Sequence, residues 1–464
     1  MGANLIKEIS MVDTLTRHKM IIIGLGKTGL SCARFLASAG VSFAVMDDRE
    51  EPPELNNITK LLPDVPLFLG ELNRDLLRSA DELILSPGLP RSHPAIREAE
   101  QNGVGVTGDI ELFARQAGAP VIAVTGANGK STVASLISAM VEQSGLRPLL
   151  GGNIGTPALD LLAEPRPDFY VLELSSFQLE LVSSLNAAAA VVLNVSADHM
   201  DRYPDLQAYA AAKQRIYRGD GVMIINADDA CSLSMAEPGR EITRYSLHSP
   251  AADDEFGVVY RRGVAWLAEG KDDLIPVAEL LIKGDHNISN ALAALALGKA
   301  VGLPRPAMLH TLKIFAGLPH RCQRVGSIGG VEWFNDSKGT NVGATCAAVA
   351  GLGGNKDLVL IAGGEGKGAD FSVLKGPVGE HVHTVILIGR DANRIAAALN
   401  GCAKLIRATS LESAVETAAK IARSGEKVLL SPACASFDMF RDYQERGEVF
   451  MRAVKELDRG SVRS

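Results

Sequence analysis

The sequence predicts an α/β protein of three consecutive units, each built on a mainly parallel sheet. Three observations carry this expectation. The chain has 464 residues, more than a single hydrophobic core accommodates. Short apolar runs rich in β-branched residues alternate with helical stretches, the pattern of βαβ units. Those runs end repeatedly in Gly, Asp, Asn, Ser or Lys, and in open parallel sheets ligands sit beyond the carboxyl ends of the strands. The expected units are residues 1–110, 111–317 and 318–464.

Composition narrows the functional classes. At 47% hydrophobic and 22% charged residues, the chain is an ordinary globular protein. Its net charge of -7 gives no general attraction for nucleic acid or anionic membrane, so any phosphate site must be local. The six cysteines, Cys32, Cys231, Cys322, Cys346, Cys402 and Cys434, form no C-x-x-C pair, which argues against a zinc site or a disulfide framework. No stretch of about 18 uninterrupted apolar residues offers a membrane span. Residues 1–20 contain Lys7, Glu8, Asp13, Arg17 and His18, with no apolar core for a signal peptide. A cytoplasmic protein without nucleic-acid partners is expected.

The first unit opens with Met20–Ile23, a short β-branched run that reads as a buried strand. Gly24, Gly26 and Gly29 follow as G-x-G-x-x-G, then a helix to about Ala39, then a strand over Phe43–Met46 ending at Asp47 and Asp48. Such a turn lets a pyrophosphate approach a helix N-terminus, and an acid after the second strand is placed to accept from a ribose hydroxyl. A dinucleotide site and a tight turn without ligand both fit. "DELILSPGLP" adds a strand ending at Ser86–Pro87–Gly88.

The second unit begins near Asp109. Val121–Thr125 reads as a strand, Gly126–Gly129 as a turn and Lys130–Ser144 as a helix. This is a shortened phosphate loop, because Val124 stands where G-x-x-x-x-G-K-[ST] requires Gly. Its physical requirements survive: inward N–H groups, Lys130 at the helix start, and Ser131 and Thr132 hydroxyls for Mg²⁺. Later strands place Glu173 at a carboxyl end, Asp198 and His199 in the loop beyond a strand ending near Val195, and Asn226 and Asp228 after another. Glu173, His199 and the Lys130 loop are expected to converge, with a carboxylate holding Mg²⁺ beside a polyphosphate. Lys213 lies on an alanine-rich helix and, on pattern alone, reads as a solvated surface lysine. Asn287 and Asn290 share one face of the first turn of a long helix. The pair suits a purine edge; the alternative is helix capping by Asp285 or Asn287.

The third unit begins around Leu318. "VEWFNDSKGTN" is a strand ending in Asp336, Lys338 and Thr340, and "KDLVLIAGGEGKGADF" runs into a glycine-rich loop with Lys367 and Asp370. "HTVILIGR" and "KVLLSPACASFDMF" repeat the form. Two lysines in strand-end loops suit anionic ligands.

Taken in order, "TGANGKST", "LELSSFQL", "NVSADHMDRY", "AAKQRIY", "GDHNISNALAA", "PHR", "NDSKGTN", "GGEGKGADF" and "LLSPACASFDMF" resemble the Mur ligase family, over nearly the whole chain. The resemblance is to its D-glutamate-adding members. It implies a Rossmann-like first unit, a central P-loop-type ATPase unit and a Rossmann-like third unit that binds the amino acid. It implies an ATP-dependent amide ligase of peptidoglycan precursor synthesis, with UDP-N-acetylmuramoyl-L-alanine and D-glutamate as substrates, ATP, two Mg²⁺ sites, and a monomer.

Site roles follow from the same resemblance. Thr125, Gly126, Asn128, Gly129, Lys130, Ser131, Thr132, Asn287, Asn290, Arg321 and Asp336 would bind ATP. Ser131, Thr132 and Glu173 would hold one Mg²⁺. His199 and Lys213 would serve a second, Lys213 as a carbamate. Lys338 would face the transferring phosphoryl group. The apparent dinucleotide turn becomes a uridine-diphosphate site of Thr28, Asp47, Arg49, Ser86, Pro87 and Gly88, with Asn153 also touching this substrate. D-Glutamate would meet His199, Thr340, Lys367, Ser436 and Tyr443. Tyr443 stands where the family pattern carries Phe, and Asp48 where it carries Thr. The stretch before Lys19 is longer than the pattern needs, with Met11 an alternative start. A sister or folylpolyglutamate-synthetase-like ligase, and a nucleotide-binding protein without ligase chemistry, are the other readings.

Overall fold

The computed structural model describes residues 20–200 and 202–461. Met11 and the other residues before Met20 lie outside the described residues. Three sheets follow one another along the chain, each with helices packed on its faces.

The first sheet contains β1 (Met20–Ile23), β2 (Phe43–Asp47), β3 (Leu67–Leu69), β4 (Glu82–Leu85) and β5 (Gly105–Thr107). Their order is β3-β2-β1-β4-β5, all parallel. The β1 and β2 runs are buried almost throughout, as strands covered on both faces must be. The helix Lys27–Ser38 starts directly after the glycine turn. Gly29 has no alternative there: a Cβ would lie 2.0 Å from the Gly24 carbonyl oxygen. The switch in strand order between β1 and β4 opens a crevice at their carboxyl ends.

The second sheet contains β6 (Val121–Thr125), β7 (Pro148–Gly152), β8 (Phe169–Glu173), β9 (Ala189–Val192), β10 (Val222–Asn226), β11 (Ile242–Tyr245), β12 (Phe256–Arg261), β13 (Val264–Glu269) and β14 (Asp272–Pro276). The order is β14-β13-β12-β11-β10-β9-β6-β8-β7. The helices Lys130–Gln143 and Asp285–Ala300 cover one face. Gly298 lets the following helix, Arg305–Ile314, pack close against the second of these, since a Cβ on Gly298 would lie 2.4 Å from Met308 Sδ.

The third sheet contains β15 (Gln323–Ile328), β16 (Val331–Asn335), β17 (Leu358–Gly363), β18 (Val382–Ile388), β19 (Lys404–Arg407) and β20 (Lys427–Leu430), ordered β15-β16-β20-β17-β18-β19.

Two features depart from the parallel expectation. β12, β13 and β14 form an antiparallel meander on the edge of the second sheet, and β15 pairs antiparallel with β16. Two-residue turns, Arg262–Gly263 and Gly329–Gly330, close two of these hairpins with every turn residue at positive φ. The strand expected to end near Val195 stops at Val192, because the Val195 N–H donates to Asp229 Oδ2 instead of continuing the ladder. Asn226 and Asp228 are structural. Asn226 Nδ2 donates to the Leu193 carbonyl, and Asp228 accepts from the Leu247 N–H. Among the described residues, no helix is long and apolar enough to cross a membrane.

Candidate active site

β6 feeds the phosphate loop, and the loop works with one residue fewer because its neighbours shape it. Gly126 and Gly129 have φ of 155° and 85°. The side chain of Asn194, just beyond β9, clamps the turn by accepting from the Asn128 N–H at 2.8 Å and donating to the Asn128 carbonyl at 3.1 Å. Thr125 is fully buried, and its hydroxyl donates to the Leu174 carbonyl at 2.7 Å. Lys130 Nζ donates to the Gly126 and Ala127 carbonyls, both at 2.9 Å. A polyphosphate in this turn would take over those donors.

Glu173, at the carboxyl end of β8, is buried beside the loop. It accepts from Ser131 Oγ at 2.5 Å and from Asn153 Nδ2 at 2.7 Å. Burial raises its pKa, but Lys130, Ser131 and Asn153 outweigh burial and hold the carboxyl below its ordinary range. Ser131 Oγ also accepts from Arg321 Nη2 at 2.5 Å, so the third unit already touches the phosphate loop. Asn341 does the same, donating to Asn128 Oδ1 and Asp198 Oδ2, each at 3.2 Å.

Lys213 is not a surface lysine. It is 1% exposed, and its Nζ donates to the Gly126 carbonyl at 2.9 Å and lies 4.4 Å over the Tyr209 ring. Burial first, and the nearby Lys130 cation second, push its amine well below the ordinary lysine value. His199 has a φ of 58°, the left-handed region in which histidine is enriched among non-glycine residues. Its ring packs 4.8 Å from Phe177 and 6.4 Å from Tyr209, which also sits under Lys213.

Two cavities flank this centre. The larger, about 1120 Å³, runs from the first unit to the third. Thr28, Arg49, Ser86, Pro87 and Gly88 line its outer end. Asn153, Ser131 and Glu173 line its middle, and Arg321, Lys338 and Tyr443 its far wall. Asp47 lies beneath it, not in it. Its oxygens accept from the Leu25 N–H at 2.6 Å and from the Arg49 guanidinium at 2.7 and 2.8 Å, which occupies the acid expected to meet a ribose. Asp48 is exposed at the rim.

The second cavity, about 610 Å³, lies between the second and third units. Asn128, Gly129, Thr132, Asn287, Asn290, Arg321, Asp336 and Lys338 line it. The capping alternative for Asp285 or Asn287 fails. Gly284 is the N-cap and no side chain caps this helix, while Asn290 Nδ2 donates to Asn287 Oδ1 at 3.2 Å. Burial lifts the Asp336 carboxyl to about 6, against hydrogen bonds from Ser431 and Cys322. Burial, then Arg321, lower Lys338 to about 8.

Residues expected at the amino-acid site are divided. Tyr443 is in the large cleft, with Lys338 Nζ 4.1 Å over its ring. Lys367 and Ser436 sit together on loops tied by paired Glu365 and Ala435 backbone bonds, and Thr340 is on the adjoining loop, whose Gly339 carbonyl accepts from the Ala433 N–H. None of these three lines either cavity, and neither does His199.

Sequence reasoning missed Asn194, Asn341 and Arg446. Arg446 is 1% exposed and donates to Ser337 Oγ, the Ser337 carbonyl and the Cys434 carbonyl at 2.8–3.1 Å. It thus ties the loop carrying Lys338 to the loop carrying Ser436. Only adjacency to quoted strand ends could have signalled these residues.

Comparison with known proteins was decided by three family models. The Mur ligase MurD-like N-terminal domain matches residues 18–108, the Mur ligase middle domain 124–298, and the Mur ligase glutamate ligase domain 320–434. The chain belongs to the Mur ligase family. Among similar Mur ligases, one from Nitrosococcus oceani, named UDP-N-acetylmuramoylalanine--D-glutamate ligase, is 55% identical over 94% of this chain and 96% of its own. A Pseudomonas aeruginosa protein of the same name is 51% identical over 95% and 98%. Two solved structures share the fold. UDP-N-acetylmuramate-alanine ligase of Thermotoga maritima has a TM-score of 0.58 at 18% identity, covering 94% of this chain and 99% of that one. MurF of Acinetobacter baumannii has 0.60 at 15%, covering 95% and 92%.

Proposed function

We propose that this Mur ligase joins D-glutamate to UDP-N-acetylmuramoyl-L-alanine, driven by ATP, in peptidoglycan precursor synthesis. The observation that carries the reading is the Glu173–Ser131–Arg321 chain of contacts. It joins a phosphate loop to the third unit beside a cleft that reaches the first unit.

The chemistry follows from the substrates. A carboxylate repels nucleophiles and has no leaving group. The substrate carboxylate therefore attacks the γ-phosphorus, ADP departs, and an acyl phosphate forms. The deprotonated D-glutamate amine attacks its carbonyl, and the tetrahedral intermediate expels phosphate. The protein's work is positioning and charge stabilisation. Lys130, with the loop N–H groups from Gly126 to Thr132, would cradle the β- and γ-phosphates, and Lys338 would meet the transferring phosphoryl. Asn287, Asn290, Arg321 and Asp336 would hold the nucleoside part from the second cavity. Thr28, Arg49, Ser86, Pro87 and Gly88 would receive the uridine diphosphate, with Asp47 aligning Arg49. Asn153 would orient the substrate near Glu173. Thr340, Lys367, Ser436, Tyr443 and His199 would gather D-glutamate after the third unit closes.

The residues suit Mg²⁺. Glu173 and Ser131 offer buried oxygen donors beside the phosphate turn. Among the described residues no group of three or more His, Cys, Asp or Glu could cage a metal, consistent with an ion that keeps waters and phosphate oxygens as ligands. Ser131, Thr132 and Glu173 would hold one ion, and His199 with carbamylated Lys213 a second. Bound there, Mg²⁺ would neutralise charge on the phosphates. Carbamylation requires a neutral amine, and the burial of Lys213 shifts its amine toward that form. All these residues belong to one chain, so a monomer suffices, and the nucleotide substrates point to the cytoplasm.

Turnover of ATP against a panel of amino acids tests the reading. D-Glutamate should be preferred, and preference for any other amino acid overturns it.

A further inference from the structure

We infer that Arg202 is a positioning residue for the uridine-diphosphate end of the substrate. It reaches from the loop that carries His199, in the second unit, to a loop of the first. Its Nη1 donates to the Pro87 carbonyl at 2.6 Å, and its Nη2 to the Leu89 carbonyl at 3.2 Å. The guanidinium is only 13% exposed and lies 3.5 Å from Glu180 and 3.9 Å from the centroid of the Phe177 ring. A planar fork held by a carboxylate and an aromatic face is pre-organised, so little freedom is lost in binding two carbonyls.

The contact determines which way one peptide points. In a trans peptide the N–H lies opposite the C=O, and none of the described peptides is cis. With the Pro87 carbonyl drawn to Arg202, the Gly88 N–H points the other way. Gly88 lines the large cleft, and its N–H makes no hydrogen bond among the described residues. Pro87 and Pro90 have no N–H to offer, and the Leu89 N–H is already used by the Ser86 carbonyl. Gly88 is therefore the one unengaged backbone donor in this turn, and Arg202 fixes its aim. The same guanidinium stacks on the ring against which His199 packs. The assignment of this loop to the diphosphate rests on the function proposed above.

The test measures the affinity of full-length protein for uridine 5′-diphosphate alone, by calorimetry, in wild type, Arg202→Lys and Arg202→Ala. Affinity for ATP with Mg²⁺ and the melting temperature are recorded in parallel. Losing two charge-assisted hydrogen bonds should weaken uridine-diphosphate binding about tenfold in the alanine variant. The lysine variant keeps the charge and should fall between alanine and wild type. ATP affinity should stay within about twofold. Unchanged uridine-diphosphate affinity in both variants overturns the proposal. So does an equal loss for both nucleotides in the lysine variant, which would mark a general structural role. The result does not depend on ligase activity. If wild type binds uridine diphosphate in this Arg202-dependent way but does not ligate D-glutamate, only the proposed reaction fails.

Discussion

Lys213 carries the sharpest difference between pattern and environment. An alanine-flanked helix lysine is ordinarily solvated. This one is buried with Tyr209 and Ala212 on the inner face of its helix, which brings Nζ to the Gly126 carbonyl. Periodicity could not reveal this, since the helix has little amphipathic contrast; only the family resemblance pointed to it. A carbamate there should give a carbonyl-carbon resonance when the protein is equilibrated with ¹³C-bicarbonate. Lys213→Arg should remove the signal and lower kcat at least 100-fold; a signal that persists in this variant contradicts the assignment. Asp109 offers a pH test. It is fully buried, with one oxygen bonded to Gln178 Nε2 and the other unpartnered among the described residues. Burial raises its pKa from 3.8 to about 6. The folded state thus binds this proton more tightly than the unfolded chain. The resulting stability is fully present below about pH 4 and is lost as pH rises through about 6. Asp109→Asn cannot ionise, so its melting temperature should gain on wild type between pH 5 and pH 8. The difference across that window corresponds to one pKa unit, about 1.4 kcal/mol. A pH-independent offset would show that Asp109 does not titrate in this window.

At the scale of elements, the phosphate loop shows what a sequence can and cannot reveal. Its strand, turn and helix were legible from Val121 to Gln143, because β-branched residues, glycines and a helix-start lysine each have one local reading. The compensation for the missing glycine was not legible. It comes from Asn194 on β9's outgoing loop, more than 60 residues away in sequence. A Cβ on Gly129 would lie 2.4 Å from Asn290 Oδ1, at a φ of 85°. Gly129→Ala should therefore cost about 1–3 kcal/mol of stability and weaken ATP binding at least tenfold, read by chemical denaturation and calorimetry. Unchanged ATP affinity would mean that the turn tolerates a different path. The antiparallel meander of β12–β14 was missed for a related reason. β13 and β14 lie partly exposed and β14 opens on Asp272 and Asp273, so no continuous apolar run announces them, and strand direction is set by connection length, not by composition.

Across the whole molecule, the residues assigned to one reaction come from all three units but do not yet form one site. Thr28, Ser131, Glu173, Lys338 and Tyr443 share a cleft, whereas Thr340, Lys367 and Ser436 stand outside it. Sequence order could place each residue on a strand end, but not the relative setting of the units. Closure of the third unit would gather the second group around the acyl phosphate and exclude water from it. Small-angle scattering should therefore show a smaller radius of gyration with a non-hydrolysable ATP analogue and both substrates than without ligands. Identical profiles would contradict closure. The central claim is the reaction itself. Phosphate release from ATP should be measured with UDP-N-acetylmuramoyl-L-alanine and D-glutamate supplied separately and together, and the product weighed by mass spectrometry. The account predicts release only with both, and a product heavier by one glutamate residue. Binding of both nucleotides without release, or a product lacking that residue, would contradict it.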